Sequence, residues 1–180
     1  MNNYLETTTL SEKLNFIYVC LEDCSDEFFD KLKLNKTSVL IIDTYNKNGV
    51  AEQRKLFAEL INNEGKIWSV DRSSRRSKKI LANSERLGTK CLQILVADSN
   101  ELLLKNPDWK GFFDRILIDA PCSGLGTLAR HPDARWRMNE DNIQELVAVQ
   151  SHLLNSLAPL LKSGGTLVYS TCTIHPEENF

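Results

Sequence analysis

Two cysteines stand out for what surrounds them. Cys122 follows Asp119-Ala120-Pro121 and precedes Ser123-Gly124, and Cys172 lies in Tyr169-Ser170-Thr171-Cys172-Thr173. Cysteine is common in cores, but an acid, a rigid proline and a thiol at the mouth of an apolar run, followed by two glycines, make a loop site instead. A zinc pair would need further ligands, and Cys20, Cys24 and Cys91 have no matching spacing, so no metal is expected. Two more acids close apolar runs: Asp71 after residues 66–70 and Asp98 after residues 91–96. An acid ending the second strand of a nucleotide-binding half can accept from both ribose hydroxyls. The next one can accept from an adenine amino group. Either could instead be a cap, since Asp71-Arg72-Ser73-Ser74 opens a helical pattern and Ala97-Asp98-Ser99 a turn. Two such acids on consecutive runs favour the nucleotide reading.

For these side chains to meet, the intervening chain must carry them to one edge. Apolar runs at 38–42, 66–70, 91–96, 114–118 and 166–169 read as strands. Between them lie helical patterns. Residues 49–61 put Leu56, Phe57, Leu60 and Ile61 on one face, and residues 73–87 are closed by Gly88. Residues 141–161 space Ile143, Leu146, Val147, Leu153, Leu154, Leu157 and Leu161 helically. Asn62-Asn63-Glu64-Gly65 and Lys162-Ser163-Gly164-Gly165 read as turns. Alternating units whose strands are apolar on both faces predict an α/β, doubly wound parallel sheet. Ligands in such sheets sit outside the carboxyl ends of the strands. Adjacent strand ends lie roughly 5 Å apart, so Cys122 and Cys172 can line one pocket.

With 180 residues, 42% hydrophobic and 26% charged, the chain suits one ordinary domain and excludes disordered, collagen-like and coiled-coil classes. No apolar run approaches the roughly 18 residues of a membrane span, and residues 1–11 lack a signal peptide's apolar stretch. A cytoplasmic location follows as the expectation. Five cysteines without framework spacing indicate reduced thiols. The net charge of −2 gives no global sign of nucleic-acid binding. Its distribution is uneven, with a basic middle concentrated in Arg72, Arg75, Arg76, Lys78 and Lys79. Such a cluster is more often a solvated helix face than a phosphate-facing patch.

Taken together, Asp119-Ala120-Pro121-Cys122-Ser123-Gly124 with Gly126, Arg130-His131-Pro132-Asp133, and Tyr169-Ser170-Thr171-Cys172-Thr173 with Pro176-Glu177-Glu178-Asn179 resemble the RNA cytosine-5 methyltransferases. The likeness is strongest to the Sun/Fmu-like bacterial ribosomal RNA methyltransferases and runs from about Leu56 to Phe180. It implies a Rossmann-like sheet of the S-adenosylmethionine-dependent methyltransferase type, S-adenosyl-L-methionine as cofactor and RNA, ribosomal RNA foremost, as substrate. A monomer without a metal or membrane partner is expected. Carbon 5 of cytosine is too weak a nucleophile to attack a methyl donor, and a thiolate adding at carbon 6 turns it into an enamine carbon. By resemblance Cys172 is that nucleophile, Cys122 assists its elimination, and Asp119 holds the base edge at N3 and N4. Asp71 matches the ribose-binding acid and Asp98 the acid near the adenine, with Asp119 bordering the same cofactor site. In DNA cytosine methyltransferases the Pro-Cys thiol is itself the nucleophile and no Ser-Thr-Cys partner follows. Arg130, His131, Arg135 and Arg137 follow the Pro-Cys loop closely and are the expected RNA contacts.

The chain departs from the family after residues 38–42, where the turn should read Asp-x-Cys-Ala-Ala-Pro-Gly-Gly-Lys-Thr. Here it reads Asp43-Thr44-Tyr45-Asn46-Lys47-Asn48-Gly49-Val50-Ala51-Glu52. One register keeps only Gly49 and puts Ala51 at the lysine, while the other puts Tyr45 at the aspartate and Gln53 at the lysine. The glycines let the backbone approach the cofactor, so weak cofactor binding is expected. Residues 1–50 read as a divergent N-terminal segment, and 51–180 as a catalytic core missing its last strands, with an open edge beside residues 166–169. The alternative to an active enzyme is an RNA-binding or partner-binding remnant that keeps the fold and has lost the cofactor loop.

Overall fold

The β-branched and aliphatic runs of the sequence become the central strands of one parallel sheet. A computed structural model describes residues 15–20, 38–43 and 65–179. Its strands are β1 (Asn15–Cys20), β2 (Ser38–Asp43), β3 (Lys66–Asp71), β4 (Leu92–Val96), β5 (Phe113–Asp119) and β6 (Leu161–Thr171). They lie in the order β1-β6-β5-β2-β3-β4, every pair parallel. From β2 the chain steps outward through β3 and β4, then returns to β2's other side with β5 and β6. The strand order therefore reverses between β2 and β5, where Asp43 is in register with Asp119. That reversal opens the crevice in which doubly wound sheets bind ligands. The expected helix over 49–61, the turn before Gly65, the cofactor loop with Gly49, and Cys24 lie outside the described residues.

Both faces of the middle strands are covered, which is why they read as unbroken apolar runs. Val39, Leu40, Ile41 and Ile42 are all buried, as are Ile116, Leu117 and Ile118. On one face Leu40, Ile42, Trp68, Val70, Ile116, Ile118, Leu167 and Tyr169 form a core with Leu153, Leu157 and Leu160. Trp68 anchors it, meeting Trp109, Phe112 and Phe113 edge-on with ring centroids at 6.1, 5.4 and 5.3 Å. Each such aromatic pair contributes about 0.5–1.5 kcal/mol beyond its area burial.

Four helices are described: α1 (Ser74–Arg86), α2 (Leu102–Lys105), α3 (Ala134–Arg137) and α4 (Glu140–Leu157). In α1, Ser73 is the N-cap and Gly88 lies just past the C-terminal end. In α4 a capping box joins Asn139 and Asn142, each side chain accepting from the other's backbone N–H. The apolar pattern predicted α4 to run on to Leu161. It stops at Leu157 because Pro159 cannot continue it, and a short 3-10 turn (Ala158–Leu160) leads directly into β6. The expected turn at Lys162-Ser163-Gly164-Gly165 sits inside β6 as an irregularity. Phe113 is paired with Leu161 and Arg115 with Thr166, so three extra residues bulge from β6.

The edge expected to be open beside β6 is covered. β1 runs parallel to β6 over six residues, from Asn15 opposite Thr166 to Cys20 opposite Thr171. Unpaired strand edges leave backbone groups without partners, and this stretch of the N-terminal segment supplies them.

Candidate active site

The carboxyl ends of the strands carry the residues singled out by the sequence. β5 ends in Asp119, buried, and the chain leaves the sheet through Ala120-Pro121-Cys122. β6 ends beside it, with Asp119 in register with Ser170 and the Ala120 N–H donating to the Ser170 carbonyl at 2.9 Å. Two residues further along each chain the thiols meet, Cys122 Sγ lying 3.2 Å from Cys172 Sγ. The Cys172 N–H also donates to Cys122 Sγ at 3.3 Å. Both cysteines are half-buried.

The Pro-Cys loop wraps the Cys172 backbone because of its glycines. Gly124 takes a left-handed conformation, φ +71°, which turns the chain into a short 3-10 segment. Gly126 then donates its N–H to the Cys172 carbonyl at 3.0 Å, and a Cβ there would stand 2.9 Å from that oxygen. No side chain fits in that gap without moving the Cys172 backbone.

The thiol contact has an electrostatic consequence. The hydrogen bond with Cys172, then burial, pushes the Cys122 thiol far above its ordinary pKa. Either sulfur can donate across this contact, so a proton kept on one stabilises negative charge on the other.

The acids on β3 and β4 also come together. Asp71, fully buried, ends β3 in register with Val96, and Asp98 follows β4 two residues beyond. The Asp71 carboxylate accepts from the Ser73 N–H at 2.7 Å and from Arg76 Nε and Nη2, both at 2.7 Å. Asp98 accepts from the Asn100 N–H at 3.0 Å as an N-cap and pairs with Arg72 at 3.5 Å. The capping and ion-pair roles thus coexist with strand-end positions suited to a nucleoside. Arg76, read from the sequence as part of a solvated face, instead turns back to Asp71, whereas Arg72 stays largely exposed while reaching Asp98. Acids at the carboxyl ends of β3, β4 and β5 fit S-adenosylmethionine by their chemistry, since carboxylates accept from ribose hydroxyls and an adenine amine.

The four expected RNA contacts separate. Arg130 and His131 are exposed, their backbone N–H groups both donating to the Thr127 carbonyl at 2.9 Å, so they leave the Pro-Cys loop together. Arg135 is exposed on α3, while the Arg137 side chain is outside the described residues. Between these two stands Trp136, 85% exposed. Trp136 has no role in the expectations from sequence, although an aromatic among arginines is visible there. Glu178 and Gln150 have none either. Glu178 is buried and touches both thiol loops, and the Pro176-Glu177-Glu178-Asn179 stretch was the signal for it. Among the described residues no three His, Cys, Asp or Glu side chains converge as a metal site, and no helix is long and apolar enough to cross a membrane.

Comparison with known proteins places these features in a family. The family model described as 16S rRNA methyltransferase RsmB/F matches residues 49–180. A probable ribosomal RNA small subunit methyltransferase B from Synechocystis is 47% identical over 122 residues, covering 68% of this chain and 27% of that protein. Ribosomal RNA small subunit methyltransferase B from Escherichia coli is 42% identical over 116 residues, covering 64% of this chain and 26% of that protein. The chain thus spans about a quarter of the length of these curated relatives. Among solved structures, NSun6 from Pyrococcus horikoshii with SFG superposes with a TM-score of 0.68 at 28% identity, covering 83% of this chain and 36% of that one.

Proposed function

The chain belongs to the 16S rRNA methyltransferase RsmB/F family, and on that premise we propose that it methylates carbon 5 of cytosine in RNA, ribosomal RNA foremost, through a covalent Cys172–carbon 6 adduct. The observation that carries this reading is the 3.2 Å contact between two thiols delivered by adjacent strand ends. S-adenosylmethionine, held through Asp71, Asp98 and Asp119, supplies an electrophilic methyl group. The chain's own residues do the rest.

Cys172 takes the nucleophile's role from its place in the Ser-Thr-Cys motif, and a proton kept by Cys122 across the 3.2 Å contact stabilises its thiolate. The Cys172 sulfur bonds carbon 6 of the cytosine, and the carbon 5–carbon 6 π pair moves onto carbon 5, which takes the methyl group. Asp119, buried at the mouth of β5, faces the N3 and N4 edge of the base and favours the electron shift by hydrogen bonding. Once the Cys172 sulfur is bonded to carbon, it no longer accepts from Cys122 as an anion. The Cys122 thiol, no longer paired with a thiolate, passes its proton to water and as a thiolate takes the carbon 5 proton. The electron pair freed at carbon 5 restores the ring double bond as the Cys172–carbon 6 bond breaks. The thiol contact therefore orders the two roles in time. Arg130, His131, Arg135 and Arg137 hold the RNA backbone beside this pocket.

The test is capture of RNA containing 5-fluorocytosine, in which fluorine cannot leave carbon 5 as a proton does. The parent chain should give a covalent protein–RNA band on a denaturing gel and Cys172→Ala none. A band that survives Cys172→Ala rejects the assignment.

A further inference from the structure

We propose that Glu178 is a positioning residue whose buried carboxylate fastens the Pro-Cys loop to the Thr-Cys loop and thereby sets the distance between the two thiols. Glu178 is 3% exposed and lies six residues beyond Cys172, yet its hydrogen-bond partners come from three separate elements. From the Pro-Cys loop, Ser123 donates its backbone N–H to Oε2 at 2.9 Å and presents its hydroxyl to Oε1 at 2.5 Å. From the Thr-Cys loop, the Thr173 hydroxyl lies 2.9 Å from Oε1 and 2.7 Å from the Ser123 hydroxyl. From α4, Gln150 Nε2 donates to Oε2 at 3.0 Å and to the Pro121 carbonyl at 2.8 Å.

Ser123 directly follows Cys122, and Thr173 directly follows Cys172. Each thiol's next neighbour is thus bound to the same carboxylate oxygen. The anchor is itself held in place, since the Tyr169 hydroxyl donates to the Glu178 carbonyl at 3.2 Å. Asn179 accepts from the Thr171 hydroxyl at 2.9 Å and donates to the Thr173 carbonyl at 3.0 Å. A carboxylate is the group this site requires, because it accepts on both oxygens and donates on neither. A glutamine would turn N–H groups toward the donors on one side, leaving them unmet in a buried place where unmet polar groups are costly. Gln150, on an otherwise apolar helix face of Ile143, Val147, Leu153 and Leu157, owes its burial to the same cluster.

The separation of the thiols can be read without catalysis, by letting them form a disulfide in a glutathione redox buffer. One cysteine thiolate attacks oxidised glutathione and releases one glutathione thiolate. The second cysteine thiolate then attacks the mixed disulfide and releases the other. Two protein thiols are oxidised to one disulfide, one oxidised glutathione is reduced to two glutathiones, and the protons balance in solvent. Quantifying the Cys122–Cys172 disulfide by mass spectrometry gives the effective concentration of one thiol at the other. In the parent chain the disulfide should form readily. Glu178→Gln should lower the effective concentration at least tenfold, and Ser123→Ala, which keeps the backbone N–H, should lower it by less. Leu102→Ala is the control, since Leu102 is fully buried on α2 and belongs to neither thiol loop, so its truncation should lower the melting temperature but not the thiol equilibrium.

The inference fails if the parent does not form the disulfide, or if neither Glu178→Gln nor Ser123→Ala changes the equilibrium. It fails too if Leu102→Ala changes the equilibrium as much as they do. Should Glu178→Gln not fold, Ser123→Ala alone decides. The catalytic consequence, slower adduct turnover in Glu178→Gln at unchanged KM for RNA, rests on the function proposed above. A responsive disulfide with no RNA adduct in the parent would reject that function and leave the clamp standing, and an adduct with an unresponsive disulfide would do the reverse.

Discussion

At Asp71 three hydrogen bonds already converge, from the Ser73 N–H and two Arg76 nitrogens. A carboxylate has about four lone-pair sites, so a ribose diol needs Arg76 to give up at least one of its hydrogen bonds. That competition adds to the altered turn after Asp43, and S-adenosylmethionine should bind only weakly. Asp71→Ala should weaken it further in calorimetry and also destabilise the fold by about 1–3 kcal/mol, because the Ser73 N–H and two nitrogens of Arg76, a third exposed, lose this acceptor. A variant with unchanged cofactor affinity and melting temperature would contradict both roles. The carboxylates and thiols themselves were legible in the sequence, since each closes an apolar run and so lands at a strand end. Their partners were not. Arg76 lies five positions on, on a helix whose face looked solvated, and Glu178 meets Ser123 across a separation of 55 residues that no local pattern encodes.

At the scale of elements, the basic residues fall into two groups with different surroundings. On α1, Arg76 is committed to Asp71, while Arg72 just before the helix touches Asp98 at 3.5 Å and stays largely exposed. Beyond the Pro-Cys loop, Arg130, His131 and Arg135 are exposed, as is Trp136 next to Arg135, and on the proposed function they would meet the RNA, with Trp136 able to stack on a nucleobase. Neutralising Arg130 and Arg135 should flatten the dependence of log affinity for RNA on log salt by roughly 0.7 for each phosphate that is no longer neutralised. Neutralising Arg75, Lys78 and Lys79 should change it less, and the opposite order would move the RNA surface to α1. Element boundaries were readable wherever local chemistry sets them, as at Ser73 and Gly88 around α1. They slipped where tertiary pairing decides. β6 extends well past residues 166–169 at both ends because it has β5 on one side and β1 on the other. β1 itself escaped notice because its six residues carry no pattern beyond their apolar content, and its partner lies near the other end of the chain.

Across the whole molecule the sheet divides labour between its two edges. The carboxyl ends carry the acids and thiols, and the amino ends carry an ion-pair tie. There Asp114 on β5 accepts from the Ser38 N–H of β2 at 2.8 Å and from Lys162 of β6 at 2.8 Å, joining three strands. Burial alone would raise the Asp114 pKa, but the hydrogen bonds from Lys162 and Ser38 and the charges of Lys162 and Arg115 outweigh it and hold the carboxyl below its usual value. A lowered folded pKa stabilises the protein above the unfolded value of about 4, and that contribution is lost as pH falls through the folded value. Asp114→Asn should therefore cost about 1 kcal/mol at neutral pH, a modest figure because Lys162 is half-exposed. In chemical denaturation the gap between parent and variant should close below about pH 4; a gap constant with pH would place the effect outside this carboxylate. The doubly wound order was legible because alternation and two-sided burial admit few alternatives. The division of roles between the thiols is the central claim, and the most direct measurement is a denaturing gel of two variants on ordinary cytosine RNA with saturating S-adenosylmethionine. Cys122→Ala should accumulate a covalent protein–RNA complex because release stalls, while Cys172→Ala should form none. A complex with Cys172→Ala and none with Cys122→Ala, as in a DNA-type mechanism, or no complex with either, would contradict it.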